Sequence, residues 1–384
     1  MKIGIITCWQ PDDNYGTQIQ CFALQQYLRL QGHEAFLIRY LRESDQIKTP
    51  LHKRLFKIFN IIKLLKYIFR SIEKKRSLKE TMYHNRGAPG FREKYLDMSI
   101  FYNSYSELKA NPPDAELYIV GSDQVWNISY LQKNNINAHF LNFGSEAIKR
   151  ISYAASFGFS LSDLNQKYGT LIAPLLKRFS AVSVRESTGL EICNHLGISN
   201  AVQVCDPTLL LDTTDYLDIL EDEKWKRPEK KYIFIYALIS QSLLSIKQVQ
   251  DWAVKNNLDV IYTSAHGKVD NYKKYYATIP EWIYLIANAE YVITNSFHGA
   301  VFSLLFHKKV AVYPLCLKSG ASTNSRLDTL NMLAGRNIVV NSNNSFEFIF
   351  FQETDWVLFE NNKDTLKKSG VRFLDEFLLH EESN

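Results

Sequence analysis

The five cysteines (Cys8, Cys21, Cys193, Cys205 and Cys316) are scattered, with no Cys-x-x-Cys pair and no zinc-ligand spacing. A disulfide scaffold and a zinc ribbon are excluded on that count, and the thiols read as reduced core residues of a cytoplasmic protein. No G-x-G-x-x-G opens a helix, and neither G-x-x-x-x-G-K-[ST] nor G-x-S-x-G occurs, so a dinucleotide site, a P-loop and a nucleophile elbow have no support. No apolar run approaches the ~20 residues of a membrane-spanning helix. The opening stretch Ile3–Trp9 is too short for a signal peptide and runs into the polar Gln10-Pro11-Asp12-Asp13-Asn14. Repeats and low-complexity tracts are absent as well.

What is present is an ordinary globular composition: 384 residues, 46% apolar and 22% charged. That length predicts two domains or one large one. The net charge of +5 is modest, but its positive part is concentrated. Between residues 48 and 79, eleven lysines and arginines stand against the single acid Glu73. From Ile61 to Arg76, Lys63, Lys66, Arg70 and Lys74 fall on one helical face and Ile61, Leu64, Leu65, Ile68, Phe69 and Ile72 on the other. Such a helix suits an anionic membrane surface. A helix packed on the sheet with a solvated basic face is the plainer alternative.

The rest alternates short β-branched runs with helical patterns. Lys2–Cys8 reads as a strand, the helix after Asn14 runs to Gln31 and Gly32, and Glu34–Tyr40 is the next strand. Leu117–Val120, Ile151–Ala155, Val182–Val184 and Val202–Val204 follow, each ending in small or polar residues. Asp123 stands at one strand tip and Arg185 at another, where open α/β sheets bind ligands. A helix cap for Asp123 and a pairing with Glu186 for Arg185 are the plainer alternatives. Cys205-Asp206-Pro207 reads as a structural turn. A charged, turn-rich stretch at 212–231 predicts a linker. Beyond it come strand Tyr232–Ala237, helix Leu243–Asn256, strand Asp259–Thr263 and helix Pro280–Ala289, then strand Lys309–Tyr313 and the helix that Arg326 begins.

The centre of the second set is Ala289–Phe306. Tyr291–Thr294 is a buried strand, Asn295 and Ser296 are helix-capping types, and His298 and Gly299 fall in the first turn of the next helix. A helix N-terminus offers unpaired N–H groups to an anion, Gly299 clears the approach, and His298 exchanges protons near neutral pH. A capped helix with a histidine satisfied by its neighbours is the plainer alternative. The expected architecture is α/β, two Rossmann-like domains facing across a cleft. Residues 1–211 form the first domain, with a basic helical insertion at about 48–100; residues 212–231 link it to a second domain at 232–355, and 356–384 form a helical tail.

Six segments, in order, resemble the polysaccharide pyruvyl transferases: Asn14-Tyr15-Gly16-Thr17; Gly121 to Asn127; Ser152 to Gly158; Val182 to Glu186; Cys205 to Leu209; and Thr294 to Gly299. The resemblance implies a GT-B-like fold and transfer of the pyruvyl group of phosphoenolpyruvate to a sugar as a cyclic ketal. It implies Arg185 and Arg326 as phosphoenolpyruvate ligands, with Ser296 and Gly299 at the helix end, and His298 as the catalytic histidine. Arg326 stands where some members carry lysine. Asp123 is the expected base for the sugar hydroxyl. Asn14, Tyr15, Gly16, Gln124 and Trp126 are the expected acceptor set.

No cofactor and no metal are expected; phosphoenolpyruvate enters as the donor substrate. The expected partners are phosphoenolpyruvate and a sugar acceptor, lipid-diphosphate-linked in one version, with no nucleic acid. The basic stretch 48–79 would then touch the inner face of the membrane. Two other classes stay open: a GT-B glycosyltransferase using a sugar nucleotide, and a non-catalytic scaffold for envelope assembly.

Overall fold

The computed structural model describes the chain except residues 11, 13, 42–85, 129–130, 132, 221–224, 239–243, 266–269, 271, 316–323 and 379–384, and only the backbone at 133, 134, 324 and 325. The basic helix expected within 48–79 lies outside the described residues.

Two parallel sheets carry the fold. The first orders its strands β3-β2-β1-β4-β5-β6-β7, with β1 Lys2–Ile6, β2 Glu34–Tyr40, β3 Met98–Tyr102, β4 Leu117–Val120, β5 Lys149–Ala155, β6 Ala181–Val184 and β7 Val202–Gln203. The second orders β11-β10-β8-β9, with β8 Tyr232–Ala237, β9 Asp259–Ser264, β10 Tyr291–Thr294 and β11 Lys309–Val312. Central strands such as β4 and β8 are buried at every position. That is why they read as continuous apolar runs rather than alternating ones: helices cover both faces of a parallel sheet.

β3 is a departure from the sequence reading, which assigned residues up to about 100 to a helical insertion. Met98–Tyr102 pairs in parallel with β2 and forms the edge of the first sheet. Ile100 and Phe101 on it are exposed, so the strand lacks the buried apolar run that marks its neighbours. Pairing to β2, a non-local event, decides it.

Helix Tyr15–Leu30 starts at Asn14, whose side chain accepts from Thr17 N, and the chain reverses at Gly32 with φ +83° before entering β2. Helix Ile279–Ala287 begins with a capping box between Thr278 and Glu281 and has Pro280 in its first turn. The stretch between the sheets holds a short capped helix, Thr213–Leu217. The tail is one helix, Trp356–Leu378, and it crosses back to the first sheet. There Ser369 Oγ donates to Gln203 O at 2.9 Å, Lys367 pairs with Asp212 at 2.9 Å, and Phe373 packs on Tyr153.

The two domains share apolar packing. Tyr15, from the first, stacks on Trp282 of the second with ring centroids 5.4 Å apart and planes 6° from parallel. Its hydroxyl donates to Ala277 O at 2.7 Å. Tyr236 and Phe302 meet the same tryptophan edge-on or tilted. One buried cluster therefore runs from Ile3 and Phe22 through Tyr15 to Phe234 and Phe302, and it brings the carboxyl ends of both sheets together.

Candidate functional site

Four strand tips supply the site. β4 leads through Gly121 and Ser122 to Asp123; β6 ends at Arg185 and Glu186; β7 leads to Asp206; and β10 leads to Ser296, which caps helix Phe297–Leu305. Asp123 adopts φ +69°, a left-handed conformation aspartate tolerates better than most residues. Its backbone bridges to Ala155, so the tip of β4 is held against the end of β5.

Arg185 is the hub. Its guanidinium is buried, with Nη1 2.9 Å from Asp206 Oδ2, Nε 3.4 Å from Glu186 Oε2 and Nη2 3.8 Å from Asp123 Oδ1. It also lies over the Phe297 ring at 4.6 Å, so an arginine of the first domain covers the first helical residue of the second. Burial alone would lower its pKa, but Glu186, Asp206 and Asp123 outweigh that and hold it above the ordinary arginine value. Glu186 in turn accepts from Ser156 Oγ. The sequence reading set Glu186 pairing against ligand binding, and the structure shows the pairing present with Asp206 as the nearer partner.

Asp206, which the sequence marks only as a turn residue, is the functional residue that sequence reasoning misses. It caps the turn Pro207–Leu209, with Oδ1 accepting from Thr208 N at 3.1 Å and from Thr208 Oγ1 at 2.8 Å. Its Oδ2 accepts from Ser122 Oγ at 3.2 Å and lies 3.4 Å from His298 Nε2. Burial pushes this carboxyl up, but His298 and Arg185 overcome it and hold the group far below the usual carboxylate range. The sequence signal was weak: an aspartate before proline at a strand tip, the position Asp123 and Arg185 hold on their own strands.

His298 stands in the first turn of its helix, almost wholly buried. A Cβ on Gly16 would fall 2.4 Å from its Nδ1, so the N-terminus of helix Tyr15–Leu30 presses on the imidazole and only glycine fits. Gly16 is thus brought to the site as a spacer. Ser296 Oγ accepts from Gly299 N at 3.2 Å, which commits both to the cap and leaves the N–H groups of Phe297 and His298 without a partner inside the helix. Gly299 does not clear a ligand's path as expected. A Cβ there would meet Thr294 Oγ1 at 2.6 Å and Tyr236 at 3.0 Å, so it serves close helix–strand packing.

Asp123 keeps a partly open side chain, 17% exposed, and accepts from Thr17 Oγ1 at 3.3 Å. Of the residues expected to meet the acceptor, Asn14 caps its helix and Gln124 accepts from Asn127 Nδ2 at 2.6 Å; both keep some exposure. Tyr15 and Trp126 are different. Tyr15 is locked between domains, and Trp126 is fully buried, stacked on Phe140 with its Nε1 donating to His139 O at 3.0 Å. Neither has surface to offer a sugar, and both are core residues. Arg326 lies in helix Asn324–Ala334, whose Thr329, Leu330 and Leu333 border a narrow gap with Arg185, Asp206 and Phe297. Cys205, beside Asp206, is pushed by burial up to about 12, so it stays a thiol. Among the described residues no group of three or more His, Cys, Asp or Glu is arranged to hold a metal ion.

The arrangement offers a buried cation, a histidine at a helix N-terminus and a carboxylate with solvent access, all within one junction between domains. It can bind an anion and move protons.

Solved structures similar over nearly the whole chain share the two-domain GT-B fold. UDP-GlcNAc 2-epimerase from Methanocaldococcus jannaschii, in complex with UDP-GlcNAc and UDP, aligns with TM-score 0.50 at 12% identity, covering 98% of this chain and 100% of that one. S. aureus MnaA in its UDP co-structure aligns with TM-score 0.50 at 11% identity, covering 100% and 99%. At such identities the likeness speaks for the fold alone. None of the curated proteins searched matches the sequence. A family profile, polysaccharide pyruvyl transferase, matches residues 14–314, a span that contains Asn14, Asp123, Arg185, Asp206 and His298. This chain belongs to the polysaccharide pyruvyl transferase family.

Proposed function

We propose that the chain transfers the pyruvyl group of phosphoenolpyruvate to a sugar of a surface-polysaccharide precursor, forming a cyclic ketal and releasing phosphate. The observation that supports this reading best is Arg185 lying beside His298 across the domain junction, bridged by Asp206. An arginine fork and a helix N-terminus fit the carboxylate and phosphate of the donor, and a histidine between them fits protonation of its methylene.

His298 gives a proton to the CH2 of phosphoenolpyruvate, and C2 becomes electrophilic. A sugar hydroxyl attacks C2 while Asp123 takes its proton, giving a tetrahedral adduct that still carries phosphate. The C2–O bond to phosphate breaks with its electron pair, assisted by Arg185, Arg326 and the N–H groups of Phe297 and His298; the departing phosphate accepts the proton from Asp123. A second hydroxyl closes the ketal, and its proton restores His298. Positioned acid–base groups contribute about 10²–10⁴-fold, with orientation and charge stabilisation supplying the remainder.

Calorimetric titration of phosphoenolpyruvate against UDP-sugars tests the donor directly. Phosphoenolpyruvate binding that is weakened in Arg185→Lys, together with acceptor-dependent phosphate release, is the expected result. Binding of a UDP-sugar with no response to phosphoenolpyruvate would replace this reading with glycosyl transfer. Lysine keeps the charge but not the bidentate fork, which separates a ligand role from a merely electrostatic one.

A further inference from the structure

The two oxygens of Asp206 are used differently. Oδ1 is fixed locally by Thr208 N and Thr208 Oγ1, and those two bonds set the plane of the carboxylate. Oδ2 faces the junction, where Ser122 Oγ, Arg185 Nη1 and His298 Nε2 converge on it at 3.2, 2.9 and 3.4 Å. The first two donors and Asp206 itself come from the first domain, whereas His298 comes from the second. Asp206 is therefore a charge held rigidly on one domain and aimed at a histidine on the other.

His298 Nε2 is buried and has no hydrogen bond of normal geometry. The 3.4 Å to Asp206 Oδ2 is longer than the usual 2.7–3.2 Å for N–H···O, so in the free protein this is a close approach rather than a formed hydrogen bond. Catalytic hydrogen bonds are often long before substrate binds and shorten in the complex. The opposite edge of the ring is its Nδ1 side, against which Gly16 sits without a side chain. No acidic residue occupies the first turn of the Tyr15–Leu30 helix. Among the described residues, Asp123 and Glu186 face Arg185.

We propose that Asp206 is a positioning residue: it holds His298 with Nε2–H directed at its carboxylate, so that Nδ1 is the nitrogen that exchanges a proton with substrate. Because the same oxygen binds Arg185, the orientation of the proton donor and of the donor-clamping arginine are set by one carboxylate. This assignment deepens the pyruvyl-transfer reading and rests on it for the use made of the Nδ1 proton; the Nε2–H contact itself does not depend on the reaction.

The test is spectroscopic first. Protein labelled with ¹⁵N-histidine, free and with phosphoenolpyruvate, should show a slowly exchanging, strongly downfield ring proton coupled to Nε2 of His298, assigned by its loss in His298→Asn. In Asp206→Asn that proton should move upfield or vanish, and kcat should fall by up to about 10⁴-fold, the loss seen when the carboxylate behind a catalytic imidazole is neutralised. A downfield proton on Nδ1 instead, no such signal in either state, or a signal unchanged in Asp206→Asn would overturn the assignment. Should Asp206→Asn fail to fold, the parent protein's Nε2 signal still decides it. If that signal is present while no phosphoenolpyruvate is bound or consumed, the positioning contact stands and the pyruvyl-transfer reading falls.

Discussion

Replacing Arg185 by alanine removes a buried cation from among three carboxylates. Asp206 and Glu186 are as buried as the arginine, and Asp123 is partly open. Breaking a buried pair by removing one partner costs about 3–5 kcal/mol, because a charge is left uncompensated. The structure places the cost toward the lower end, about 3 kcal/mol. Asp206 retains Ser122, Thr208 and His298, and Glu186 retains Ser156. The loss must depend on pH with a definite sign. Against burial, His298 and then Arg185 hold the folded Asp206 carboxyl below its unfolded value of about 4. In the parent protein this stabilisation is present above that unfolded value and is lost only as pH falls through the depressed folded one. Without the arginine one depressing cause is gone and burial pushes the other way, so the folded variant takes up protons earlier on acidification. The gap between parent and variant should be full at neutral pH and should narrow on acidification as pH falls through the variant's folded Asp206 value, which lies above the parent's. Urea unfolding at a series of pH values from neutral downward measures it. A gap below about 1 kcal/mol at neutral pH, or one that acid leaves unchanged, would show that Arg185 does not balance these buried carboxylates. The consequence for enzymology is that alanine at 185 confounds stability with donor binding, and lysine is the better probe of the site.

His298→Asn should bind phosphoenolpyruvate with parental affinity and lose turnover by about 10²-fold or more, read by single-turnover kinetics; a variant that keeps most of its kcat would remove the histidine from proton transfer. Gly16→Ala drives a methyl into the His298 ring, and since that ring is enclosed the expected cost is about 1–3 kcal/mol together with a drop in kcat larger than the change in donor affinity. Trp126→Phe should lower the unfolding midpoint and leave acceptor saturation unaltered, and a selective rise in acceptor KM would put Trp126 back at the sugar site. Reversing Lys63, Lys66, Arg70 and Lys74 to glutamate should abolish binding to anionic vesicles, each basic group contributing about 1 kcal/mol at such a surface. Absence of vesicle binding by the parent at low salt would leave that stretch as a solvated face.

Much of the scaffold was legible because parallel strands buried on both faces write themselves as uninterrupted apolar runs. Glu34–Tyr40, Leu117–Val120, Tyr232–Ala237 and Tyr291–Thr294 have the bounds the pattern predicts. Local chemistry also announced the caps at Asn14 and Ser296, since a capping side chain bonds only a few residues ahead. The edge strand Met98–Tyr102 was not legible, because its half-exposed pattern resembles a loop until β2 pairs with it.

The residue types at the strand tips could be read along the chain, and with them Arg185, Asp123 and His298 as candidates. Tertiary structure alone decided how they relate. Asp206 and Arg185 come from strands of one sheet, and His298 comes from the other, 92 positions further along the chain than Asp206 (298 − 206). It also decided that Gly16 is a spacer against an imidazole, that Gly299 is packing, and that Trp126 and Tyr15 are core. The reason is that period and capping act within a turn or two, whereas charge pairing and close contact act through space. A one-dimensional pattern carries the first kind of information, and the second exists only once the two domains have closed on a common core.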